Sequence, residues 1–433
     1  MIKIIRTGEK IFGETFMRIK KRGKIFDKDL WVVVQGIVED VAKRGDDALF
    51  AYTAKFGGAV IDARTVEASD DEIDASSAMV AEEDLRVLEL SAKRIERFHR
   101  KQDVTGWLTS DEEGIELGQR VLPLARIGIY APGGLAIYPS TVLMAAIPAR
   151  IAGVEEIILV TPSRDGKINS FIAAAARIGG VHRIFKIGGA QAIAALAYGT
   201  ESVPAVDKIV GPGNAYVAAA KKMVYGQVAI DMIAGPSEVI VIADETATAA
   251  HVAADLLAQA EHDVMASAVL LTPEETLAAK VAAELNKQLQ TLSRREVAEK
   301  SLMDFGALIV TRDMEEAVAI ANRFAPEHLE LMVAVPEDTM GKIKNAGAVF
   351  LGSNTPEALG DYMAGPNHIL PTGGTARFSS PLGVYDFVKR TSILRFSRDA
   401  LQRYGRVTAR LADLEGFDAH SRSVTMRITG ENP

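Results

Sequence analysis

The 433-residue sequence contains no cysteine. That absence excludes disulfide frameworks, thiolate nucleophiles, cysteine-ligated zinc and iron–sulfur clusters. Histidine is also scarce, with 7 residues, so any metal site must draw on a few imidazoles together with carboxylates or amides. Positive charge is outweighed, 49 Lys and Arg against 57 Asp and Glu, and a net charge of −8 argues against a general nucleic-acid partner. Residues 1–28 mix both charges and lack an apolar signal segment. The one uncharged run long enough to span a bilayer is Ile127 to Ala149. It carries Pro132, Pro139 and Pro148 with Gly128, Gly133 and Gly134, and the backbone groups these free find no partner in lipid. The run reads instead as a buried strand, a glycine-rich loop and a buried helix, in a cytoplasmic chain with no membrane partner.

What is present is the mix of a globular protein, 48% hydrophobic and 24% charged. The first quarter reads as helical. Leu30, Val33, Val34, Ile37, Val38 and Val41 recur at helical spacing, and a long charged helix is expected over Asp74 to Lys101. From Tyr130 apolar strands alternate with helices: Ile157 to Val160, Arg183 to Ile187, Lys208 to Val210, then Val239 to Ile242, Ala268 to Leu271, Leu308 to Val310, Leu329 to Met332 and Ala348 to Leu351. That rhythm implies α/β architecture with parallel sheets covered on both faces. The tail after about Arg390 reads as a charged helical appendage, with a strand pattern only at Val424 to Ile428.

Glycine follows several strands, at Gly133-Gly134, Gly188-Gly189, Gly211-Pro212-Gly213 and Gly235-Pro236. Such junctions let a helix N-terminus meet an anion such as a pyrophosphate. The dinucleotide fingerprint is nevertheless incomplete, because Tyr216 stands where its third glycine belongs. Tight turns explain any one junction equally well. Four histidines lie in dense polar contexts. Gln259 and His262 share a helix face, Asp361 and His368 lie in a Gly/Pro-rich stretch, and Glu415 and His420 share a short tail segment. Oxygen and nitrogen donors of this kind suit zinc or a similar divalent ion. Glu327-His328 joins a carboxylate to an imidazole, two proton-transfer groups with separable pKa values, although spacing alone favours a surface turn with a helix-terminal Glu.

Taken together these motifs resemble the histidinol dehydrogenase family. The likeness runs from about Val32 to Met426. It is carried by Tyr130-Ala131-Pro132-Gly133-Gly134, Gly188-Gly189-Ala190-Gln191-Ala192, Val210-Gly211-Pro212-Gly213-Asn214-Ala215 and Ala234-Gly235-Pro236-Ser237-Glu238. Gln259-Ala260-Glu261-His262, Pro326-Glu327-His328-Leu329, Gly365-Pro366-Asn367-His368 and Ala419-His420 complete the set. The resemblance implies zinc on Gln259, His262, Asp361 and His420, and Glu327 and His328 as the proton-transfer pair. It implies NAD at Tyr130, Gln191 and Asn214. Substrate contacts would come from Ser237, His328, His368 and Glu415 with the metal ligands. The implied reaction is four-electron oxidation of L-histidinol to L-histidine through L-histidinaldehyde, the last step of histidine biosynthesis. The implied fold is two incomplete Rossmann-like domains with small helical N- and C-terminal appendages, in a homodimer with exchanged C-terminal tails. The expected division is an appendage over 1–25, one domain over 26–130 and 235–385, a second over 131–234, and a tail over 386–433.

Overall fold

The computed structural model describes residues 2–22, 28–102, 104–133, 137–163 and 165–429. Gly134 of the first glycine motif and residues 23–25 of the expected appendage lie outside them. In chain order the strands are β1 (Ile4–Arg6), β2 (Trp107–Ser110), β3 (Ile115–Pro123), β4 (Arg126–Tyr130), β5 (Glu156–Val160), β6 (Arg183–Phe185) and β7 (Lys208–Val210). There follow β8 (Ala229–Ile230), β9 (Glu238–Ala243), β10 (Ser267–Thr272), β11 (Ala307–Val310), β12 (His328–Met332), β13 (Ala348–Leu351) and β14 (Val388–Phe396). Two compact units result, Met1–Gln102 with Leu124–Phe387, and Asp103–Pro123 with Val388–Pro433.

The larger unit holds two wholly parallel sheets, ordered β6-β5-β4-β7-β8 and β1-β11-β10-β9-β12-β13. Alternation along each strand divides the apolar residues between two faces. In β9, Val239 and Val241 pack toward the helices Ala249–Ala260 and Glu275–Leu289, while Ile240 and Ile242 face Lys10–Lys21 and Met314–Phe324. In the five-stranded sheet, Ile158, Val160 and Ile209 meet Lys28–Arg44 and Gly189–Tyr198. Ile127, Ile129, Ile157 and Leu159 meet Pro139–Ala152 and Ser170–Gly179 on the other side. Each fully buried Ile or Leu in these layers is worth about 1.5–3 kcal/mol of transfer free energy.

Several expectations change. The helices between residues 28 and 99 pack on the five-stranded sheet and β4 is one of its strands, so these parts of 26–130 go with 131–234 rather than with 235–385, while β2 and β3 belong to the smaller unit. The apolar stripes of the early helices fit that sheet's faces. The N-terminal segment is not purely helical, since β1 extends the six-stranded sheet beside β11. The long helix is two, Asp70–Ser77 and Glu82–His99, the first capped by the Ser69 side chain on Glu72 N. The C-terminal unit contains a three-stranded antiparallel sheet, β14-β3-β2, with β14 paired along its whole length to β3. The strand was hidden because Lys389, Arg390 and Arg395 break up its apolar residues and most of it is exposed. Residues 424–428, read as a strand, lie in the helix Asp418–Thr429. The uncharged run at 127–149 begins in β4 and ends in the helix Pro139–Ala152, and among the described residues no helix is long and apolar enough to cross a membrane.

Candidate active site

Strand β12 and the helix Ala249–Ala260 build the centre. His328, Glu330 and Met332 share one face of β12, toward that helix. Asp255 and Gln259, one helical turn apart, meet them there. His328 Nδ1 lies 3.2 Å from Gln259 Oε1 and 3.2 Å from the Glu238 carbonyl oxygen. Gln259 Nε2 is 3.0 Å from His262 Nδ1, so one buried amide bridges two imidazoles. Both hydrogen-bond neighbours of His328 Nδ1 are oxygens, which puts a proton there. That leaves Nε2 facing Asp361 Oδ1 at 3.6 Å, with no hydrogen-bond partner.

Glu327 arrives by a sharp turn. The helix Met314–Phe324 ends on Ala325, a non-glycine residue in the left-handed region at φ 55°, and Pro326 stops any continuation. Glu327 is then 6% exposed, and its Oε2 accepts a 3.0 Å bond from Glu238 N. Three carboxylates thus surround His328. Glu357 Oε1 and Glu327 Oε2 lie 3.6 and 3.8 Å from Nδ1, and Asp361 lies on the other side. Ligand atoms of His328, Glu357 and Asp361 all fall within 4.8 Å of one another.

The electrostatics follow from burial. Loss of solvent pushes the Glu327 carboxyl up to about 7, against the pull of His328. Burial likewise pushes Glu357 up to about 8. Burial opposes charge on His328 too, but Glu357 and Glu327 outweigh it and hold the imidazole well above its ordinary value. Asp361 goes the other way. Burial would raise it, but the attraction of His328, 3.6 Å away, keeps it below the ordinary carboxylate range. Burial depresses His262 and His368. Carboxyls poised on both sides of neutrality beside an imidazole form a proton-transfer centre.

The loop that carries His368 is anchored on a proline-containing helix, Pro139–Ala152. Pro148 cannot donate to the Met144 carbonyl one turn earlier, and Asn367 Nδ2 occupies that carbonyl at 2.7 Å instead. Gly365, at φ 108°, lets this loop pass the Arg94 carbonyl where a Cβ would come within 2.6 Å. His368 Nε2 is buried and has no hydrogen-bond partner. Ser237 is half-buried immediately before β9, where its carbonyl accepts from Ser267 N at 3.0 Å.

The expected cofactor residues lie at the carboxyl ends of the five-stranded sheet. Tyr130 ends β4, and its hydroxyl accepts from Gly189 N at 3.2 Å. Gln191 is buried on the same helix start, and its Oε1 has no hydrogen-bond partner. Asn214 follows β7, is exposed, and caps Ala215–Val224 by accepting from Tyr216 N and Val217 N. Between β4 and β7, Gly211 at φ 107° sits where a Cβ would be 2.2 Å from the Tyr130 carbonyl. Buried Asp231 accepts from Gly211 N at 2.7 Å and pairs with Lys221, whose Nζ donates to Gly211 O at 2.9 Å.

Gln259, His262 and Asp361 of the expected metal set therefore gather around His328. His420 and Glu415 belong to the smaller unit. Glu415 caps the end of the helix Arg398–Leu414, and His420 lies in Asp418–Thr429 with its ring 5.2 Å from Phe417. Both are exposed. The sequence reading missed Glu357, Glu330 and Asp255. A charged residue inside Leu329-Glu330-Leu331 was a signal for Glu330; Glu357, which opens the short helix Glu357–Leu359, gave none.

The histidinol dehydrogenase family pattern covers residues 20–428. The histidinol dehydrogenase of Syntrophotalea carbinolica is 53% identical over 428 residues, 99% of each chain. That of Geobacter metallireducens is 53% identical over 421 residues, 97% of each chain. The crystal structure of histidinol dehydrogenase from Elizabethkingia anophelis superposes with a TM-score of 0.92 at 38% identity, covering 99% of this chain and 98% of that one. With the family pattern spanning nearly the whole length and both sequence and fold agreeing, the chain belongs to the histidinol dehydrogenase family.

Proposed function

We propose that the chain oxidises L-histidinol to L-histidine through L-histidinaldehyde, reducing two NAD, as the last step of histidine biosynthesis. The observation that carries this reading is the buried Glu327–His328 pair set against Gln259, His262 and Asp361. In the first oxidation His328 takes the hydroxyl proton while hydride leaves the carbinol carbon for NAD, giving aldehyde, reduced NAD and one proton. In the second, Glu327 as carboxylate takes a proton from the water that adds to the aldehyde. The hydrate then loses hydride to a second NAD and a proton to base, giving the acid. Performing both steps at one site keeps a reactive aldehyde from solvent. His328 Nε2 and His368 Nε2, buried without protein partners, are suited to polar atoms of the substrate, and Ser237 and Glu415 complete the proposed contacts.

Gln259, His262 and Asp361 fit a zinc ion, since they supply only oxygen and nitrogen donors in a chain without cysteine, and His420 is the proposed fourth ligand. When bound, zinc supplies a template for the substrate's imidazole and amine. NAD fits the five-stranded half, whose strand order reverses between β4 and β7, the usual crevice for a nucleotide. The buried, unpartnered Gln191 Oε1 and the helix starts at Gly189 and Ala215 face that region, with Tyr130 and Asn214 beside them. A cleft of about 730 Å³, lined by Gly133, Thr161 and Pro162, adjoins the ends of β4 and β5.

We further propose a homodimer with exchanged tails, working in the cytoplasm. Val407, Leu411 and Leu414 form an exposed apolar stripe on Arg398–Leu414, which a partner subunit would cover. The deciding assay gives zinc-loaded protein histidinol and NAD and counts reduced cofactor per product. Two per histidine are expected. Zinc-loaded protein that forms neither reduced cofactor nor histidine would refute the reading.

A further inference from the structure

Arg22 closes the N-terminal helix Lys10–Lys21 and turns inward. Its side chain is 2% exposed, and its Nη2 lies 2.7 Å from Oε2 of Glu238, itself 0% exposed. The same Nη2 donates to the Ser237 carbonyl at 3.1 Å and the Pro236 carbonyl at 3.3 Å. Nε donates to Met265 O and Nη1 to Ile19 O, each at 3.0 Å. The second Glu238 oxygen accepts from Gly373 N at 3.0 Å. Glu238 thus has both carboxylate oxygens engaged, one of them by a residue from the far N-terminus.

The main chain of Glu238 has two further partners. Its N–H donates to Glu327 Oε2 at 3.0 Å, and its carbonyl accepts from His328 Nδ1 at 3.2 Å. One residue therefore touches both members of the proton-transfer pair. A buried ion pair is a poor choice for stability alone, because desolvating two charges costs several kcal/mol and a well-packed apolar pair serves as well. Here the guanidinium fixes the main chain from Pro236 to Glu238, and its fork matches a carboxylate and carbonyls that a single ammonium could not all reach.

We propose that Arg22 is a positioning residue for Glu327 and His328: by holding the Glu238 carboxylate and the Pro236 and Ser237 carbonyls, it sets the Glu238 peptide groups that orient both side chains. The N-terminal segment is then part of the active-site scaffold. The kinetic part of this inference rests on the function proposed above; its structural part does not.

The test uses the full chain with Arg22→Met and Arg22→Lys, and Arg22→Met/Glu238→Gln in case the lone buried carboxylate prevents folding. In Arg22→Met, and in the double variant, kcat for both oxidations should fall about 10- to 100-fold while KM for NAD stays within about twofold, since the NAD residues lie on the other sheet. Arg22→Lys should recover part of the loss by restoring charge. In a Glu327→Gln background, Arg22→Met should cost aldehyde oxidation less than about threefold more, because the group it orients is already disabled. Independently of turnover, the ¹⁵N resonance of His328 Nδ1, assigned with His328→Asn, should move in Arg22→Met or the double variant. An unmoved resonance, or an undiminished loss in the Glu327→Gln background, would make Arg22 a fold staple and overturn the proposal. A native chain that leaves histidinol unoxidised would instead refute the proposed function, and the resonance would still decide the role of Arg22.

Discussion

Within the strands of the five-stranded sheet, charge stops at the first residue. Arg126, Glu156, Arg183 and Lys208 each open a strand, pair partly with one another, and are followed inward by apolar residues. In the six-stranded sheet, charge enters the interior. Glu238, His328 and Glu330 stand within or at the start of β9 and β12 with exposures of 0, 3 and 1%. The difference separates two tasks. One half offers backbone, glycine and helix starts to a ligand held by shape and dipole. The other holds titratable groups in a dry setting, where burial raises the Glu327 carboxyl to about 7.

Removing metal should produce the largest change. A chelator should abolish oxidation of histidinol, and added zinc or manganese should restore it; full activity in metal-free protein would break the assignment of Gln259, His262, Asp361 and His420. Next come the paired groups. His328→Asn should slow the alcohol step by about 10²- to 10⁴-fold and the aldehyde step less, whereas Glu327→Gln should do the reverse. Equal losses in both steps for both variants would reject that division.

The pH dependence of the pair has a definite sign. Glu327 works ionised, so aldehyde oxidation in the native chain should fall as pH drops through about 7. Because its folded value lies above its ordinary 4.5, the protonated carboxyl favours the folded state, and that contribution is lost as pH rises through about 7. Glu327→Gln should therefore gain thermal stability relative to the native chain above pH 7, and little below pH 5. Glu357→Gln removes a carboxylate that raises His328, so the acid limb of alcohol oxidation should shift to lower pH, with a loss of about tenfold in rate.

Mixed dimers test the tail. Glu327→Gln and His420→Asn homodimers should both be nearly inactive. With exchanged tails, one site of a mixed dimer carries both lesions and the other neither. Random mixing makes about half the dimers mixed, so about a quarter of sites should recover. No recovery, with subunit exchange shown separately, would mean that each tail serves its own chain.

The five-stranded half should give the smallest effects. Asn214→Ala removes a helix cap worth about 1 kcal/mol and should raise KM for NAD several-fold with little change in kcat. Asn214→Ser should recover stability but not all the affinity. A large fall in kcat would erase the contrast between the halves.

How much was legible in the sequence follows the same contrast. Apolar runs such as Ile157 to Val160 and Val239 to Ile242 announced parallel strands, because nothing else buries four consecutive branched residues so simply. The motifs around Gln259, Glu327 and Asp361 were legible through resemblance, and the structure brings them together. Glu357 was not, because it meets His328 through tertiary packing that no local spacing encodes. Strand β14 was missed because it is mostly exposed and lacks the apolar period of a core strand. Arg22 carries no local signal in the sequence, and its burial against Glu238 sets it apart.

The separation of the two proton-transfer roles within the six-stranded half is tested most directly by rapid quench of Glu327→Gln. Zinc-loaded variant is mixed with histidinol and excess NAD, and reduced cofactor and trapped aldehyde are counted per site. The expected result is a fast first reduction, one reduced NAD per site, with aldehyde accumulating and histidine appearing about 10²-fold or more slowly than in the native chain. Two reduced NAD per site at the native rate, or no first reduction at all, would contradict the assignment of water activation to Glu327.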